Sequence, residues 1–278
     1  MKNSRSIIVG ISGLTLKKNE ISILKYYLPL GIILFRRNIK DKYQLAKLVN
    51  QIRGLVGTNC LILIDQEGGR VQRLNHPNCP NYPAADIFGK LAVKSIKIAK
   101  RAVYLNYYLL GSDLKNIGIN VNCAPCLDVI SRKTHSIIGN RSFSKDPNIV
   151  SLLGKMACKG LMDSGVLPII KHIPGHGRAS SDSHISLPIV KEKINFLEKN
   201  DFIPFRDLSK MPIAMTAHIL YEDLDSRWPI SQSKIANNYI KKKLNYRGIL
   251  ISDDIEMSAL SGDTKSKIES IYNAGYDI

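Results

Sequence analysis

The 278-residue sequence has no apolar run long enough to cross a bilayer. Its longest apolar stretches, such as Leu61–Ile64 and residues 248–251, have the length of buried strands. The basic N-terminus precedes only a short apolar run, and no small-residue cleavage site follows it, so it does not match a signal peptide. We therefore expect a cytoplasmic protein that has no membrane partner.

Acidic residues are scarce relative to basic ones. The chain has 23 Asp and Glu residues against 40 Lys and Arg residues, which gives a formal net charge of +17. Such an excess can indicate nucleic-acid binding, but that function needs a clustered basic stripe with interleaved aromatic residues. Here the basic residues are scattered through nearly every helical segment. We expect no nucleic-acid partner.

Cysteines are few and odd in number. Five cysteines without an export signal argue against a disulfide framework. The segment Cys123-Ala-Pro-Cys126 has the spacing of a redox dithiol, although such a site would open a helix after a strand in a small βαβ domain. This segment instead closes a strand in the middle of the chain. We favour the interpretation of two small residues at a strand end.

Short apolar strands alternate with longer helical segments, a pattern typical of a parallel α/β fold. The apolar spacing of Leu45, Leu48, Val49 and Ile52 predicts a helix over residues 42–55. Residues 274–278 resemble the entry to an eighth strand. The predicted strands lie near residues 7–11, 31–35, 61–64, 119–123, 167–171, 213–217 and 248–252. The sequence thus predicts one (β/α)₈ TIM-like barrel domain over residues 1–278.

Ionisable residues follow most of these predicted strands. They are Asp65, Asp128, Lys171, His172, His218 and Asp253. A (β/α)₈ barrel builds its active site from the carboxyl ends of successive strands, whereas a doubly wound sheet would concentrate such groups at one switch point. Their distribution favours the barrel.

The loop after the fifth strand carries a candidate acid–base pair. Its glycines and proline predict a loop of the kind that presents binding groups. Asp182 and His184 are two residues apart, so in extended backbone their side chains point the same way and can hydrogen-bond. A carboxylate on one ring nitrogen fixes the tautomer and raises the basicity of the other, which suits proton transfer near neutral pH.

Two other interpretations of this loop compete with proton transfer. His172, His176, Asp182 and His184 could bind zinc. Their spacing matches no His-Glu-x-x-His motif, however, and the adjacent Lys171 would repel a cation. Alternatively, the histidines only satisfy loop hydrogen bonds, an interpretation that fits His176 better than His184. We expect no metal.

Two further segments carry charged residues at strand ends. The glycines after Asp65 permit a tight turn that places this carboxylate near Arg73, in an arrangement that would suit a polar ligand or only pin the loop. Asp253 and Asp254 are adjacent, and like charges this close repel. Because neighbours in extended backbone face opposite ways, one of them can enter the barrel mouth while the other supports the loop.

Together these segments resemble family 3 glycoside hydrolases, specifically the single-domain bacterial β-N-acetylglucosaminidases of cell-wall recycling. The resemblance runs from about Gly31 to the C-terminus, with six segments in the family's order. They are Asp65-Gln-Glu-Gly-Gly-Arg-Val-Gln-Arg73, Gly118-Ile-Asn-Val-Asn-Cys-Ala-Pro-Cys-Leu-Asp128-Val, Gly139-Asn-Arg141-Ser-Phe-Ser, Lys171-His-Ile-Pro-Gly-His-Gly through Asp182-Ser-His184, Met215-Thr-Ala-His218 and Ser252-Asp253-Asp254.

This resemblance implies a role for each matching residue. Asp253 would be the nucleophile, and His184 would be the general acid/base with Asp182 as its partner. The sugar-binding groups would be Asp65, Arg73, Arg141, Lys171 and His172. The implied reaction is retaining hydrolysis of terminal GlcNAc from muropeptide fragments through a covalent glycosyl-aspartate. It needs no cofactor, and we expect a monomer that binds a small carbohydrate.

Alternatives on the same scaffold remain open. A neutral histidine tolerates an anionic acceptor better than a carboxylate does, which leaves a phosphorylase as one alternative. Another β-glycosidase on the same scaffold is a second alternative. In substrate-assisted enzymes the acetamido group replaces the enzyme nucleophile. The chain ends at Ile278 inside the expected eighth strand, so we expect that strand and the closing helix to be truncated, and an inactive sugar-binding remnant is a further alternative. Ile173 replaces the family's commoner aromatic residue, a change that should be tolerated.

Overall fold

A computed structural model describes residues 4–132, 134–179 and 186–278. Seven parallel strands form one sheet in sequence order, each paired with the next. They are β1 (Arg5–Gly10), β2 (Pro29–Leu34), β3 (Leu61–Ile64), β4 (Val121–Asn122), β5 (Leu167–Ile173), β6 (Ile213–Thr216) and β7 (Ile249–Ser252). All seven predicted strands are present, and the curled parallel sheet confirms the prediction of a TIM-like barrel fold.

Helices connect the strands and cover the outer face of the sheet. The α-helices in the described ranges are α1 (Lys18–Tyr27), α2 (Lys42–Val56), α3 (Ala85–Lys94), α4 (Ile96–Ile117), α5 (Pro147–Ser164), α6 (Ile194–Glu198), α7 (Ile203–Asp207), α8 (Lys234–Lys242) and α9 (Thr264–Asn273). Single 3₁₀ turns lie at Arg36–Asn38, Gly139–Arg141 and Ile230–Gln232.

Two pairs of short strands, which were not predicted from the sequence, lie in the loops. Gln66–Gly68 and Val71–Gln72 form an antiparallel hairpin directly after β3. Ile189–Val190 pairs in parallel with Leu220–Tyr221, which joins the loop after β5 to the loop after β6. Both pairs lie beyond the carboxyl ends of barrel strands, so they shape the mouth of the barrel.

Helix α2 illustrates how the sequence dictates an element. Its four predicted apolar residues are all buried. The Asp41 side chain accepts a hydrogen bond from the backbone N of Gln44 and so caps the first turn. Gly57, with a φ of 105°, ends the helix in a conformation that a side chain would disfavour. The observed helix extends one residue beyond the predicted 42–55.

Successive side chains of a strand point to opposite faces of the sheet, and this divides the apolar core into two parts. In β3, Leu63 faces a cluster inside the barrel, while Ile62 and Ile64 belong to the larger core between the sheet and the helices. The inner cluster consists of Leu63, Val121, Cys123, Ile169, Ile213, Met215 and Ile251. It lies inside the barrel, below the polar strand ends.

The last residues of the chain hydrogen-bond to β7. The backbone N of Asp277 donates to the carbonyl of Leu250 at 3.0 Å, and the N of Ser252 donates to the carbonyl of Ile278 at 3.1 Å. These bonds are those expected where an eighth strand begins. Within the described parts of the chain, no helix has the length and apolarity needed to span a membrane.

Candidate active site

A cavity of about 720 Å³ is lined by residues at the carboxyl ends of the strands and extends to the inside of the barrel, β1 and α9. Six of the eight residues predicted for the site line it, namely Asp65, Arg73, Arg141, Lys171, His172 and Asp253. The other two, Asp182 and His184, lie outside the described residues, so their roles stay predictions. The side chains that the structure does bring together come from β3, β5, β7 and two loops.

Asp65 follows β3 and is held by two cations. Its Oδ1 lies 2.8 Å from the Nζ of Lys171, and its Oδ2 accepts from Arg73 at 2.9 Å. Burial would raise the pKa of Asp65, but Lys171 and Arg73 outweigh it and hold that pKa well below its usual range. The sequence anticipated that Asp65 and Arg73 would be close; the bond to Lys171 adds a second partner, from the end of β5.

Glu67 is a member of the site that sequence reasoning missed. Its carboxylate accepts two hydrogen bonds from Arg141, at 2.8 and 2.9 Å, and its Oε1 lies 2.7 Å from the Nζ of Lys171. Burial opposes ionisation, yet these two cations lower the pKa of Glu67 to about 2. The available signal was its spacing, since Glu67 lies two residues after Asp65 and so shares its side of the chain.

Lys171 joins the two carboxylates at the end of β5. Its side chain is 3% exposed, and burial alone would lower its pKa. Asp65 and Glu67 more than compensate, so the pKa of Lys171 is raised and the ammonium stays charged. A buried cation with two acceptors is fixed in place, as a group that positions a ligand needs to be.

His172 occupies the same strand end and is bound to Asp128. The Nδ1 of His172 lies 2.6 Å from Asp128 Oδ2, and its Nε2 lies 3.5 Å from a guanidinium nitrogen of Arg141. Asp128 is fully buried. The sequence placed Asp128 at a strand end but did not assign it to the site.

The structure offers a different metal-ligand group from the one that the sequence suggested. Within the described ranges, three potential ligand atoms of Cys126, Asp128 and His172 lie within 4.8 Å of one another. Of the suggested zinc set, only His172 belongs to this group. Its atoms are already hydrogen-bonded to each other, with Cys126 Sγ 3.1 Å and His172 Nδ1 2.6 Å from Asp128 Oδ2. This group therefore has the geometry of a hydrogen-bond network.

The motif Cys123-x-x-Cys126 has no disulfide. All five cysteines are free and buried. Burial raises the pKa of both Cys123 and Cys126 well above the usual range, which opposes formation of the thiolate that redox exchange requires. Cys123 packs in the inner cluster of the barrel, as expected for a small residue at a strand end.

Asp253 and Asp254 follow β7 and have different hydrogen bonds. Asp253 Oδ1 accepts from the backbone N of Asp254 at 2.8 Å, and among the described residues its carboxylate has no ion pair. Asp254 is more exposed, and its Oδ1 accepts from the backbone N of Glu256 at 3.0 Å. Both line the cavity. Asp254 therefore stabilises the turn, while Asp253 keeps free acceptor capacity.

His218 secures this turn from the end of β6. Its Nε2 lies 3.0 Å from the carbonyl oxygen of Asp254, which can only accept, so Nε2 carries a proton. Its Nδ1 lies 2.7 Å from the hydroxyl of Ser231. Burial lowers the pKa of His218, so the ring is neutral and Nδ1 accepts from Ser231.

The segment after β5 is anchored at several points. The backbone N of His176 donates to Asp128 at 2.6 Å, and Tyr221 donates its hydroxyl proton to the carbonyl of Gly175. Arg178 binds Asp201 at 3.0 Å. Burial and the neighbouring His172 lower the pKa of His176 to about 4, so its ring is neutral near pH 7. These contacts fix the start of the loop that carries Asp182 and His184.

Comparison with known proteins agrees with this architecture. Residues 7–278 match the model of the glycosyl hydrolase family 3 N terminal domain. The chain therefore belongs to glycosyl hydrolase family 3, and the predicted enzyme class, a glycoside hydrolase, is confirmed. The resemblance inferred from six short segments extends over nearly the whole chain.

Curated relatives and solved structures of the family match nearly the whole of this chain. The chain is 32% identical to a beta-hexosaminidase of Bordetella parapertussis, over 98% of this chain and 78% of the relative. The structure of NagZ from Neisseria gonorrhoeae in complex with N-trifluoroacetyl-D-glucosamine superposes with a TM-score of 0.93 and 32% identity, covering 99% of this chain and 80% of that one. A family 3 beta-N-acetylglucosaminidase from Paenibacillus gives a TM-score of 0.91 at 30% identity, covering 100% of this chain and 53% of that one.

Proposed function

We propose that the chain is a retaining β-N-acetylglucosaminidase that removes terminal non-reducing GlcNAc from muropeptide fragments in the cytoplasm. It acts as a monomer on a small carbohydrate. Asp253 is the proposed nucleophile, and His184 with Asp182 is the proposed acid–base pair. Asp65, Arg73, Arg141, Lys171 and His172 are the proposed sugar-binding groups.

One observation carries this proposal. The carboxylate of Asp253 has no ion pair among the described residues, yet it shares a cavity with Lys171, Arg73 and Arg141. Each of these three cations is bound to Asp65 or Glu67 instead. The carboxylate of Asp253 is therefore left free to attack carbon, while the ion pairs stabilise groups that can hold sugar hydroxyls.

The sugar is inferred from a structural relative. The Neisseria protein of that comparison is in complex with N-trifluoroacetyl-D-glucosamine, an analogue of GlcNAc, and it superposes over 99% of this chain. The relatives named beta-hexosaminidase support the same substrate class. The inference that muropeptides are the source of this GlcNAc rests on the resemblance to enzymes of cell-wall recycling.

The proposed reaction has two steps. Asp253 attacks the anomeric carbon while His184 donates a proton to the leaving oxygen, which forms a glycosyl-aspartate. His184 then removes a proton from water, the water attacks the anomeric carbon, and Asp253 is released as a carboxylate. Asp182 would orient the His184 ring and stabilise its charged form. Both steps invert the anomeric centre, so the product retains its configuration.

Covalent trapping tests the nucleophile directly. The 278-residue chain is incubated with a slowly reacting fluorinated GlcNAc fluoride, and its peptides are analysed by mass spectrometry. We expect one glycosylated peptide, with the label on Asp253, and no label in Asp253→Asn. Asp254→Asn is the matched control and should still be labelled. Absence of an adduct in a chain that hydrolyses p-nitrophenyl-GlcNAc would point to substrate-assisted catalysis.

A second assay distinguishes hydrolysis from the alternatives. Release of p-nitrophenol from p-nitrophenyl-GlcNAc is measured with and without inorganic phosphate. The proposal predicts free GlcNAc at a rate independent of phosphate. GlcNAc 1-phosphate as the main product would identify a phosphorylase, whereas GlcNAc binding without turnover would identify a sugar-binding remnant.

A further inference from the structure

Asp128 accepts hydrogen bonds from four donors and is fully buried. Its Oδ1 accepts from the backbone N of His176 at 2.6 Å and from that of His172 at 3.2 Å. Its Oδ2 lies 2.6 Å from His172 Nδ1 and 3.1 Å from Cys126 Sγ. Burial would raise the pKa of Asp128, but the His172 ring and the His176 backbone hold that pKa well below its usual range. Asp128 is thus an acceptor at every contact.

The two nitrogens of the His172 ring face partners of opposite hydrogen-bonding character: an acceptor at Nδ1 and a donor at Nε2. Nδ1 faces a carboxylate oxygen, so it must carry a proton. Nε2 faces Arg141, whose guanidinium can only donate. A proton on Nε2 would meet that donor head-on, so the geometry favours a ring whose proton is on Nδ1. Nε2 is then an acceptor whose contact with Arg141 is long, at 3.5 Å, and which a closer donor can replace; His172 lines the cavity.

We propose that Asp128 is a positioning residue that fixes His172 in the Nδ1-protonated tautomer, so that Nε2 accepts a hydrogen bond from a hydroxyl of the bound sugar. The inference rests on the proposed sugar-binding function of His172. Lys171, Arg73 and Arg141 can offer the sugar only donors, so His172 would join the Asp65 carboxylate as an acceptor among the proposed sugar-binding groups.

Cys126 has a supporting part in this arrangement. Because burial raises the pKa of its thiol, Cys126 stays protonated and donates to the same oxygen that binds His172. It leaves Asp128 Oδ2 with two donors and so opposes rotation of the carboxylate. Cys126 is a secondary donor, since the contact to His172 Nδ1 is shorter and involves a stronger donor.

The effect of Asp128→Asn on the His172 tautomer can be predicted because the two carboxylate oxygens of Asp128 have different partners. Two backbone N–H groups hold the Oδ1 position, so the amide oxygen of Asn should stay there. The amide NH₂ then takes the place of Oδ2 and donates to His172 Nδ1. The ring must move its proton to Nε2, which removes the acceptor from the cavity. The shape of the site is preserved, while the two contacts of Oδ2, to His172 and to Cys126, now meet a donor instead of an acceptor.

Nitrogen NMR of the histidine rings tests the tautomer in the whole chain. The His172 signal is identified by its loss in His172→Gln. We expect a protonated Nδ1 and a bare Nε2 in the unsubstituted chain and in Cys126→Ala, and the reverse pattern in Asp128→Asn. A bare Nδ1 in the unsubstituted chain would overturn the proposal even if Asp128→Asn does not fold. So would an unchanged tautomer in folded Asp128→Asn. The same spectra are recorded during a titration with zinc. Metal binding at Nδ1 would replace its proton and contradict the assignment.

Calorimetric titration with GlcNAc tests the consequence for binding. We expect Asp128→Asn to weaken binding about tenfold and Cys126→Ala to change it less than twofold. Equal affinity of the unsubstituted chain and Asp128→Asn would overturn the role of Nε2 as an acceptor. If the unsubstituted chain does not bind GlcNAc, the proposed function and with it the sugar-accepting role of Nε2 fail, while the NMR result still decides the effect of Asp128 on the tautomer.

Discussion

The Nζ of Lys171 lies 2.7 Å from Oε1 of Glu67, and both side chains are almost fully buried. Their partners Asp65 and Arg141 extend this pair into a network between β3, β5 and the loop before α5. Two carboxylates and three cations, with Arg73 included, are thereby fixed at the mouth of the barrel. Removing one member should affect both stability and ligand binding.

Glu67→Gln should lower the free energy of unfolding by about 3 kcal/mol, because it leaves two buried cations short of an acceptor. Urea denaturation followed by circular dichroism measures this change. Glu269→Gln is the control, since Glu269 lies 3.9 Å from Lys265 in an exposed pair. It should change the free energy by less than about 0.5 kcal/mol. Equal effects of the two substitutions would contradict a buried network.

Stability should depend on pH through His176. Its pKa is about 4 in the folded chain against a usual 6.5, so between these values the unfolded chain binds more protons. The stabilisation is complete above pH 6.5 and is lost as the pH falls towards 4, an effect of about 3 kcal/mol. Thermal or urea unfolding across this range should show the loss in the unsubstituted chain and a weaker dependence in His176→Gln. The exposed His76→Gln should behave like the unsubstituted chain.

Asp253→Asn should abolish turnover of p-nitrophenyl-GlcNAc, because the amide is a poor nucleophile. Asp254→Asn should retain most activity, since its side chain bonds only a nearby backbone N among the described residues. Steady-state kinetics with both variants separates the two carboxylates. Full activity of Asp253→Asn, or loss of activity only in Asp254→Asn, would reverse the assignment.

His184→Ala should slow the reaction most for substrates with poor leaving groups. A general acid contributes roughly 10²–10⁴-fold where the leaving oxygen needs a proton. Turnover of p-nitrophenyl-GlcNAc should therefore fall less than turnover of an alkyl or disaccharide substrate. A series of leaving groups of increasing pKa gives the measurement, and His76→Ala is the control. A uniform loss across the series would argue against proton donation by His184.

Gly177 should resist substitution because it touches backbone. A Cβ at this position would lie 1.8 Å from the carbonyl oxygen of Val129, so Gly177→Ala must displace the loop or the strand end. Gly54 in α2 has nothing within 4 Å, and Gly54→Ala should stabilise the chain by about 1 kcal/mol through helix propensity. Unfolding midpoints of the two variants should therefore move in opposite directions.

The barrel could be predicted because its signals are local. The apolar run Leu61–Ile64 gave the bounds of β3 correctly, and the spacing of four apolar residues gave α2 within one residue at its end. The hairpin at residues 66–72 was missed because glycines and charges there lack the alternation of a strand.

The contacts within the site were harder to predict because they join distant parts of the sequence. Glu67 and Arg141 are 74 positions apart, and Asp65 and Lys171 are 106 apart. Nothing in the local sequence around any of these four residues identifies its partner. Short-range patterns therefore indicated which end of the barrel is polar, whereas the pairing of its charges required the structure.

The bond between Ser252 and Ile278 has a consequence for solution measurements. The amide hydrogen of Ser252, directly before Asp253, is held by the carbonyl of Ile278. It can exchange with deuterium only when this bond opens. The protection factor of that single amide therefore reports how often the final residue detaches from the strand that carries Asp253.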